Sequence, residues 1–595
     1  MEAGTSDIDE GPCDVVGRVL SVRGSQAGIG LAEPGWAEPD QKRATVGTFL
    51  GIRTAGRLVV GVVTDASIQS LPIAREHGFN VTAVVDLMGE IREADTPSAR
   101  FARGVTTYPA IGDAACAITP EDLQVIYDVG GADAIEIGAL QQGDGLPALI
   151  NVDEMLSKHF AVLGTTGVGK SSGVAVILRE ILARRPDLRI FLIDPHNEYG
   201  HSFGDRAQTI TPANMKLPFW LFNFEEIVDV LYRGRPTVEE ELEVLAEVIP
   251  IARRMYGATN RESSERGLRK GDPRAAYTVD TPVPYRLADV VSLIDDRMGR
   301  LETRISRVVY NRLLGRIDSV TNDPRYGFMF EHANVGGDTM STVLSLLFRL
   351  PIEDRPMTIM QLAGFPAEVV DSVVSVLGRM AFDFGLWSDG KLPLLFVCEE
   401  AHRYASADAN VGFGPTRRAI SRIAKEGRKY GVFLGLVTQR PAELDPTIIS
   451  QCSTLLVMRM SNERDQNLVR SAVSDAAANL LGFLPSLATR EVFAFGEGVA
   501  VPTRLVFKSL APENMPRSEA VANAGADFGR SVDQEFIDAV VDRWRSATLS
   551  GRPRTEPQLD AAPVAAPATF AQPERRTRLD PDRYKLLKKA AGIGQ

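Results

Sequence analysis

Short apolar segments separated by turn residues fill the first quarter of the chain. Residues 15–22, 44–52 and 57–64 are rich in glycine and β-branched side chains, and each segment has the length of a single strand. Strand-like pieces of the same kind continue to about residue 145. Short strands joined by tight turns are typical of a small antiparallel barrel, so we predict one β-barrel domain over residues 12–145.

The hydrophobic pattern changes near residue 150 into a strand, a glycine-rich turn, a helix and a second strand. The apolar run 159–163 is followed by helical periodicity over 170–184 and by another apolar run at 188–194. Strands that alternate with helices indicate a parallel sheet with crossover helices on its faces. The sequence therefore predicts an α/β fold for this region.

Strand signals then stop and return later in the chain. Helical periodicity dominates residues 226–349. Apolar runs of strand length follow at 357–362, 392–398, 432–438 and 454–458. We therefore predict one α/β core over 150–225 and 350–510, interrupted by a helical insertion over 226–349.

The sheet pattern ends near residue 510, and we interpret residues 511–595 as a C-terminal extension. Residues 551–573 form a Pro- and Ala-rich linker without periodicity. From residue 574 onward, seven Lys and Arg residues face three acids, which makes the end of the chain basic. We interpret this end as a solvated tail in preference to a docking helix.

Composition places the chain among ordinary globular proteins, with 44% apolar and 24% charged residues. The net charge of −11 argues against a protein coated in basic surface, although DNA inside the channel of an acidic ring is compatible with it. The N-terminus has no basic segment followed by an apolar one, and no run reaches about 18 apolar residues. We therefore expect a cytoplasmic protein without a membrane segment.

A phosphate-binding loop joins the first strand of the α/β region to its helix. Gly164, Gly169, Lys170 and Ser171 match the pattern G-x-x-x-x-G-K-[ST]. The glycines let successive backbone N–H groups turn inward around an anion, and the helix that starts near Lys170 adds its positive end. We predict that Lys170 contacts the β- and γ-phosphates of ATP and that Ser171 ligates Mg²⁺. The whole loop is assigned to nucleotide binding: Gly164, Thr165, Thr166, Gly167, Val168, Gly169, Lys170, Ser171 and Ser172.

Two neighbouring carboxylates follow the apolar run at 392–398. A parallel α/β sheet places ligands at the carboxyl ends of its strands, so we expect Glu399 and Glu400 at the same edge as the loop. We predict that Glu399 contacts the metal through its water shell and that Glu400 polarises the attacking water. Gln439 ends the next strand along the chain, where it would lie beside the γ-phosphate and sense it or orient the water.

The strand at 188–194 ends in another acidic segment. Asp194 is the last residue of that strand, and we expect its carboxylate to cap the following turn. Glu198 comes four residues later, and the sequence leaves open whether it faces the nucleotide.

A basic helix lies between Glu400 and Gln439 in the sequence. Arg418, Arg422 and Lys425 recur on one face of it, and Arg428 follows beside a glycine that can end the helix. This spacing is equally compatible with a solvated basic face and with an arginine that reaches the nucleotide of a neighbouring subunit. Arg428 is the preferred candidate for such a transition-state cation, and Arg422 is the second.

Taken in order, these motifs resemble the HerA family of hexameric DNA translocases, within the FtsK–HerA group of RecA-like ATPases. The resemblance covers most of residues 12–510 and rests on the barrel-like segment and five core segments: 56–65, 159–171, 193–199, 399–402, 423–431 and 438–441. It implies a RecA-like core and a homohexameric ring that hydrolyses ATP at subunit interfaces, with double-stranded DNA through its centre. It also implies a companion enzyme, either a nuclease of the NurA type or, in bacterial antiphage systems, a sirtuin-like NADase or another effector.

Three positions depart from the family pattern. Lys425 stands where an arginine is frequent, Gln361 stands at a strand end where aspartate is usual, and Lys158 stands where an arginine contacts the neighbour's nucleotide. Lys425 weakens the expectation of a cation supplied in trans if that position is the one used.

The resemblance implies an ATP-dependent translocase or helicase on double-stranded DNA that works with a partner effector in DNA-end processing or antiphage defence. The alternative is a nucleotide-controlled scaffold that activates the effector with little movement of DNA. A conjugation or chromosome-segregation pump would normally need a membrane anchor, and a protein-remodelling ATPase is more distant.

Overall fold

The computed structural model describes most of the chain between residues 14 and 546. The described residues are 14–31, 45–54, 56–67, 81–94, 96–130, 133–141, 145–261, 277–300, 305–331, 337–352, 354–408, 411–473, 478–517 and 534–546. The predicted Pro- and Ala-rich linker and the basic C-terminal end lie outside the described residues.

Six antiparallel strands in the N-terminal part close into a barrel. The strands of this part are β1 (Val15–Arg23), β2 (Gln26–Leu31), β3 (Phe49–Thr54), β4 (Arg57–Ser67), β5 (Val81–Arg92), β6 (Arg100–Arg103) and β7 (Ala114–Ala117). The ring runs β1-β2-β5-β4-β3-β7 and returns to β1, while β6 pairs with the second half of β5. Closure gives the backbone N–H and C=O groups along the strand edges hydrogen-bond partners. The interior is filled by fully buried apolar side chains, among them Val19, Ile29, Ile52, Val59 and Val85.

Eleven further strands form one mixed sheet. They are β8 (Ala134–Leu140), β9 (Pro147–Asn151), β10 (His159–Leu163), β11 (Arg189–Asp194), β12 (Ala207–Ile210), β13 (Met357–Gln361), β14 (Leu394–Cys398), β15 (Val432–Thr438), β16 (Cys452–Met458), β17 (Glu491–Gly496) and β18 (Thr503–Phe507). Their order is β12-β13-β11-β14-β15-β10-β16-β17-β18-β8-β9. The first seven strands in this order are parallel, and the remaining ones are antiparallel to their neighbours.

Helices cover the sheet, and six of the described helices lie between β12 and β13 in the sequence. They are α1 (Pro120–Tyr127), α2 (Val152–Met155), α3 (Lys170–Arg184), α4 (Phe224–Tyr232), α5 (Glu239–Arg261), α6 (Leu287–Gly299), α7 (Arg307–Thr321), α8 (Gly327–Phe330), α9 (Met340–Phe348), α10 (Val370–Trp387), α11 (Gly414–Glu426), α12 (Pro446–Ile449), α13 (Glu463–Ala472) and α14 (Gln534–Ser546). α3 packs on β10, and α10 packs on β14 and β15. None of the helices within the described ranges combines the length and the apolar character that a bilayer crossing needs.

A buried carboxylate attaches the helical insertion, α4 to α9, to the core. Glu226 of α4 is completely buried and accepts hydrogen bonds from Arg379 at 2.8 Å and from Ser375 at 2.8 Å, both on α10. A buried carboxylate needs such partners, because an unpaired charge in the interior is costly. An α/β core with a helical insertion and an N-terminal antiparallel barrel is therefore present, and the predicted fold class is confirmed.

The strands at 134–151 differ from the predicted domain boundaries. We predicted that the barrel domain extends to residue 145, but β8 pairs with β18, with Leu140 opposite Leu505, and so belongs to the large sheet. The last strand of the barrel ends at Ala117. The pattern of β8 and β9 shows a hairpin, but its pairing partner lies far along the chain, where no local signal points to it.

The parallel strands end together at one edge of the sheet. β10 and β14 are not neighbours, because β15 lies between them. Parallel strands present their carboxyl ends on the same side, where α/β folds bind ligands. The residues that follow β10, β11, β14 and β15 therefore meet at this edge.

Candidate active site

The phosphate-binding loop runs from the end of β10 into α3. β10 ends at Leu163 and α3 begins at Lys170, as the pattern predicts. Gly167 and Gly169 have φ angles of +78° and +94°, which other residues rarely adopt. A Cβ atom on Gly169 would also lie only 3.0 Å from Cγ of Arg490. Helix geometry leaves the first N–H groups of α3 without intrahelical partners, so they are available to an anion held by the loop.

Glu399 is buried beside the lysine of the loop. Nζ of Lys170 lies 3.9 Å from Oε1 of Glu399, and the Tyr199 hydroxyl donates to the same oxygen at 3.2 Å. Oε2 of Glu399 is buried and has no hydrogen-bond partner among the described residues. Burial raises the pKa of Glu399 to about 8, against the opposing charge of Lys170, and the nearby Glu400 adds to the rise.

A chain of hydrogen bonds connects Glu400 to the loop. Nε2 of Gln439 donates to Oε1 of Glu400 at 2.9 Å, and Oε1 of Gln439 accepts a hydrogen bond from the Thr166 hydroxyl. Nδ1 of His402 lies 3.3 Å from Oε2 of Glu400 and 3.0 Å from the Thr438 hydroxyl. Glu400 is buried and has a φ of +51°. Such left-handed backbone in a non-glycine residue is uncommon and clusters at functional sites.

The acidic segment after β11 reaches the same place. The Ser171 hydroxyl donates to Oε2 of Glu198 at 2.9 Å, which settles the open question of where Glu198 points. Asp194 accepts hydrogen bonds from the backbone N–H groups of Glu198 at 3.2 Å and Tyr199 at 3.0 Å. Asp194 therefore caps the turn, as the sequence predicts, and burial raises the pKa of its carboxyl group.

The donor set at this edge fits a magnesium ion that arrives with a nucleotide. Ser171, Glu198 and Glu399 offer oxygen atoms, which are the ligands that Mg²⁺ prefers. Within the ranges that the structure describes, no group of three or more His, Cys, Asp or Glu side chains forms a metal cage. Mg²⁺ is usually held by one or two protein oxygens together with phosphates and water, so a full cage is not required.

Glu399→Gln is expected to stabilise the nucleotide-free protein at high pH. The pKa of Glu399 lies near 8 in the fold and near 4.5 in the unfolded chain, so the fold favours the protonated form. The associated stabilisation is fully present below pH 4.5 and is lost as the pH rises through about 8, with a limit on the order of a few kcal/mol. Thermal unfolding without Mg²⁺ and nucleotide should show the variant more stable than the parent at pH 9 and equal to it at pH 5. Equal stability at both pH values would contradict this description of the site.

The basic helix crosses one face of the sheet, and its C-terminal end with Arg428 lies at the edge opposite to the loop. Arg428 precedes β15 and Gln439 follows it, and β15 spans seven residues, so the two positions are about 20 Å apart. Arg422 contacts Asp383 at 3.3 Å, and its guanidinium lies 4.0 Å from the ring centre of Phe382. The structure therefore brings neither arginine to the loop of its own chain.

Arg428 is exposed in the turn that follows α11. It lies near His159, the first residue of β10, where its charge adds to burial in lowering the pKa of the imidazole to about 4. Lys425 is exposed as well, whereas Lys158 pairs with Glu497 at 3.4 Å. Gln361 is buried at the end of β13. Gln361 therefore lies at the same edge as the phosphate-binding loop, opposite Asp194 in the parallel pairing of β13 with β11. Arg428, Lys425 and Lys158 lie at the far edge, away from the loop of their own chain.

Sequence reasoning missed three side chains that contact the site. Tyr199 donates to Glu399, His402 lies beside Glu400, and Arg490 packs against Gly169. Tyr199 and His402 stand within motifs that carry the family resemblance, which is the signal that could have found them. Arg490 stands outside every motif, and only the fold brings it to the loop.

Residues 135–381 match the family described as Helicase HerA, central domain. A probable helicase of Methanocaldococcus jannaschii is 28% identical to this chain, over 66% of this chain and 73% of its own length. The DNA double-strand break repair helicase HerA of Pyrococcus furiosus is 24% identical, over 84% of this chain and 89% of its own length. Among solved structures, VirB4 of Thermoanaerobacter pseudethanolicus is 15% identical with a TM-score of 0.45, and the match covers 65% of this chain and 99% of the VirB4 chain. Residues 135–381 therefore carry the central domain of the HerA family, and the chain is a P-loop ATPase.

Proposed function

We propose that this ATPase is a motor that moves double-stranded DNA, acting as a ring of identical subunits, a hexamer by family resemblance. The hydrogen-bonded chain from Thr166 through Gln439 to Glu400 carries the proposal, because it links the residue that activates water to the loop that holds phosphate. The relatives named as helicases support DNA as the substrate on which the motor works.

The residues at the site divide the work of phosphoryl transfer to water. Lys170 and the N–H groups of the loop bind the β- and γ-phosphates, and Glu400 orients the attacking water and accepts its proton. Ser171 and Glu399 would hold Mg²⁺, which when bound supplies positive charge that offsets the charge of the phosphates. The Gln439 amide is held between Thr166 and Glu400, so a γ-phosphate in the loop would compete for it and couple nucleotide state to the position of Glu400.

A single chain does not complete this site, because the candidate transition-state cations lie at the opposite edge of the sheet. Head-to-tail packing of identical subunits brings two different edges together and closes into a ring when the rotation permits. Arg428 would then contact the γ-phosphate bound by the adjoining subunit. Arg428 is a better candidate than Arg422, because the Arg422 guanidinium already contacts Asp383 and Phe382.

Arg428→Ala is expected to lower ATP turnover at least about a hundredfold, and the loss should be reversible by mixing. A mixture of Arg428→Ala and Lys170→Met chains contains interfaces with an intact loop on one side and an intact arginine on the other. An equimolar mixture should recover up to about a quarter of parental turnover if the subunits assort at random. Lys429→Ala, an exposed neighbour, should behave as the parent. A mixture that stays as inactive as its components would contradict a shared site.

DNA movement is tested by the displacement of a third strand from a triplex on linear duplex DNA. The parent chain should displace the strand with ATP, and Glu400→Gln should not. Strand displacement by neither protein, with ATP hydrolysis intact in the parent, would contradict the motor and favour the nucleotide-controlled scaffold.

We further propose that the motor works with a companion enzyme, a nuclease of the NurA type or a NADase or other effector, in DNA-end processing or antiphage defence. The closed barrel offers a folded surface apart from the nucleotide site on which such an enzyme could dock. Copurification from the native host, followed by mass spectrometry, would identify the companion. Recovery of the ring alone under conditions that retain its DNA-processing activity would contradict a stable partner.

A further inference from the structure

Arg490 reaches the phosphate-binding loop from the flank opposite to the acidic residues. It immediately precedes β17, which lies two strands from β10 on one side, while β14 with Glu399 and Glu400 lies two strands away on the other. β17 runs antiparallel to β16, so its first residue stands at the same sheet edge as the loop. Each flank is about 10 Å from β10, and the loop lies between an acidic side and this arginine.

Direct contacts hold Arg490 against the loop. Its backbone N–H donates to the carbonyl of Val168 at 2.8 Å, and its own carbonyl accepts from the N–H of Phe507 at 3.0 Å. The side-chain stem passes over Gly169, where an added Cβ would meet Cγ of Arg490 at 3.0 Å. The position of Arg490 is therefore coupled to the geometry of the loop, because a shift of either would break the hydrogen bond from the Arg490 N–H to the Val168 carbonyl.

The backbone of Arg490 is in a conformation that argues for a role beyond packing. Its φ is +66°. This left-handed backbone conformation costs a residue with a long side chain about 1 kcal/mol or more. Any non-glycine residue bears this cost, and asparagine or glycine would bear less of it. The conformation aims the start of the side chain along the loop, where a positive charge can act on a bound anion.

The guanidinium group has hydrogen-bonding capacity left over. It contacts the hydroxyl of Ser509, which occupies one of its five N–H donors. No carboxylate of the described residues lies within ion-pair distance of it. By contrast, Arg504 nearby is paired with Glu491 at 3.0 Å. An arginine that is partly buried without an acidic partner is well suited to receive an anion, and its planar fork matches phosphate oxygens.

The charge at the site calls for such a cation. The carboxylates of Asp194, Glu198, Glu399 and Glu400 lie on the side where the γ-phosphate would lie, and the Lys170 ammonium is 3.9 Å from Oε1 of Glu399. Mg²⁺ and an arginine from the adjoining subunit would act on that same side. The α- and β-phosphates lie over the loop itself, where Arg490 can supply positive charge from within the chain. Arg459 also contacts the loop, through its carbonyl and the N–H of Thr165 at 3.1 Å, but its guanidinium donates to the carbonyl of Leu487 at 3.4 Å.

We propose that Arg490 contacts the α- or β-phosphate of the bound nucleotide and thereby sets the affinity for nucleoside diphosphates and triphosphates. This assignment rests on the proposed nucleotide site but not on movement along DNA. A contact made equally in the bound substrate and in the transition state contributes to binding and leaves the chemical step nearly unchanged.

Arg490→Met tests the contact, because methionine keeps much of the aliphatic stem and has a similar backbone cost. The dissociation constant for ADP with Mg²⁺, measured by titration calorimetry, should rise about tenfold or more. KM for ATP should rise by a similar factor while kcat stays within about twofold. Arg490→Lys should restore part of the affinity, since it returns the charge without the planar fork.

Arg184→Met is the matched control, because Arg184 is exposed at the far end of α3, about 21 Å from Lys170 along the helix. It should bind ADP as the parent does, and thermal unfolding of both nucleotide-free variants should match the parent. Parental ADP affinity in Arg490→Met would overturn the assignment, as would a loss that lysine does not relieve. If Arg490→Met weakens ADP binding and the parent never moves DNA, the motor fails while the Arg490 contact stands. If the parent moves DNA and Arg490→Met binds ADP normally, the contact fails while the motor stands.

Discussion

Glu400→Gln is expected to bind ATP as the parent does and to hydrolyse it at least about a hundred times more slowly, since a positioned general base contributes roughly 10²- to 10⁴-fold. Glutamine has nearly the same shape and can still accept the hydrogen bond from Gln439, so the geometry of the loop should persist. It cannot accept a proton from water. Phosphate release in the steady state and nucleotide titration measure the two quantities separately.

Glu443→Gln is the control for this substitution. Glu443 is an exposed carboxylate near the same sheet edge, paired with Arg440 at 3.0 Å, and its loss should leave turnover unchanged. Near-parental hydrolysis by Glu400→Gln would remove Glu400 from the chemistry. If Glu400→Gln instead loses hydrolysis and still activates a companion enzyme fully, nucleotide binding is the signal, and the scaffold alternative gains over the motor.

Lys170→Met should abolish measurable ATP hydrolysis and weaken nucleotide binding by about two orders of magnitude. The Lys170 ammonium is buried and is the cation placed between the loop and Glu399. Its loss removes a charge-assisted contact to phosphate and also leaves Glu399 without the charge that opposes the rise in its pKa. Methionine preserves the apolar stem, so the fold should be retained.

The effect is measured by the rise in unfolding temperature on addition of ATP with Mg²⁺. The parent should be stabilised, because a ligand that binds only the folded state shifts the unfolding equilibrium, and Lys170→Met should show almost no shift. Lys216→Met, at an exposed lysine of the same core, should respond as the parent. A full ATP-dependent shift in Lys170→Met would contradict the assignment of the loop.

Local patterns were sufficient to predict the centre of the α/β core. The predicted strand 159–163 and helix 170–184 match β10 and α3, because an uninterrupted apolar run, a glycine loop and strong helical periodicity coincide there. β15 also matches its predicted range. The convergence of Glu399, Glu400 and Gln439 follows from a general property of parallel sheets, whose carboxyl ends share one edge.

Contacts between distant segments could not be predicted. The hairpin β8–β9 joins the large sheet through β18, which lies more than 350 residues away from it in the chain. Arg490 reaches Gly169 only because β17 turns back antiparallel beside β16. The spacing of the basic helix predicts a charged face, but it does not show that Arg428 lies a full strand length away from its own loop. That separation is what makes a second copy of the chain necessary for its proposed role.

The most direct test of the central claim is the steady-state rate of ATP hydrolysis with and without linear double-stranded DNA. Glu400→Gln sets the background of the measurement. The parent chain is expected to release phosphate at a rate that DNA increases several-fold and that falls steeply when dilution separates the subunits. ATP that is bound and never consumed, or a rate that neither DNA nor dilution changes, would contradict a shared site that drives movement along DNA.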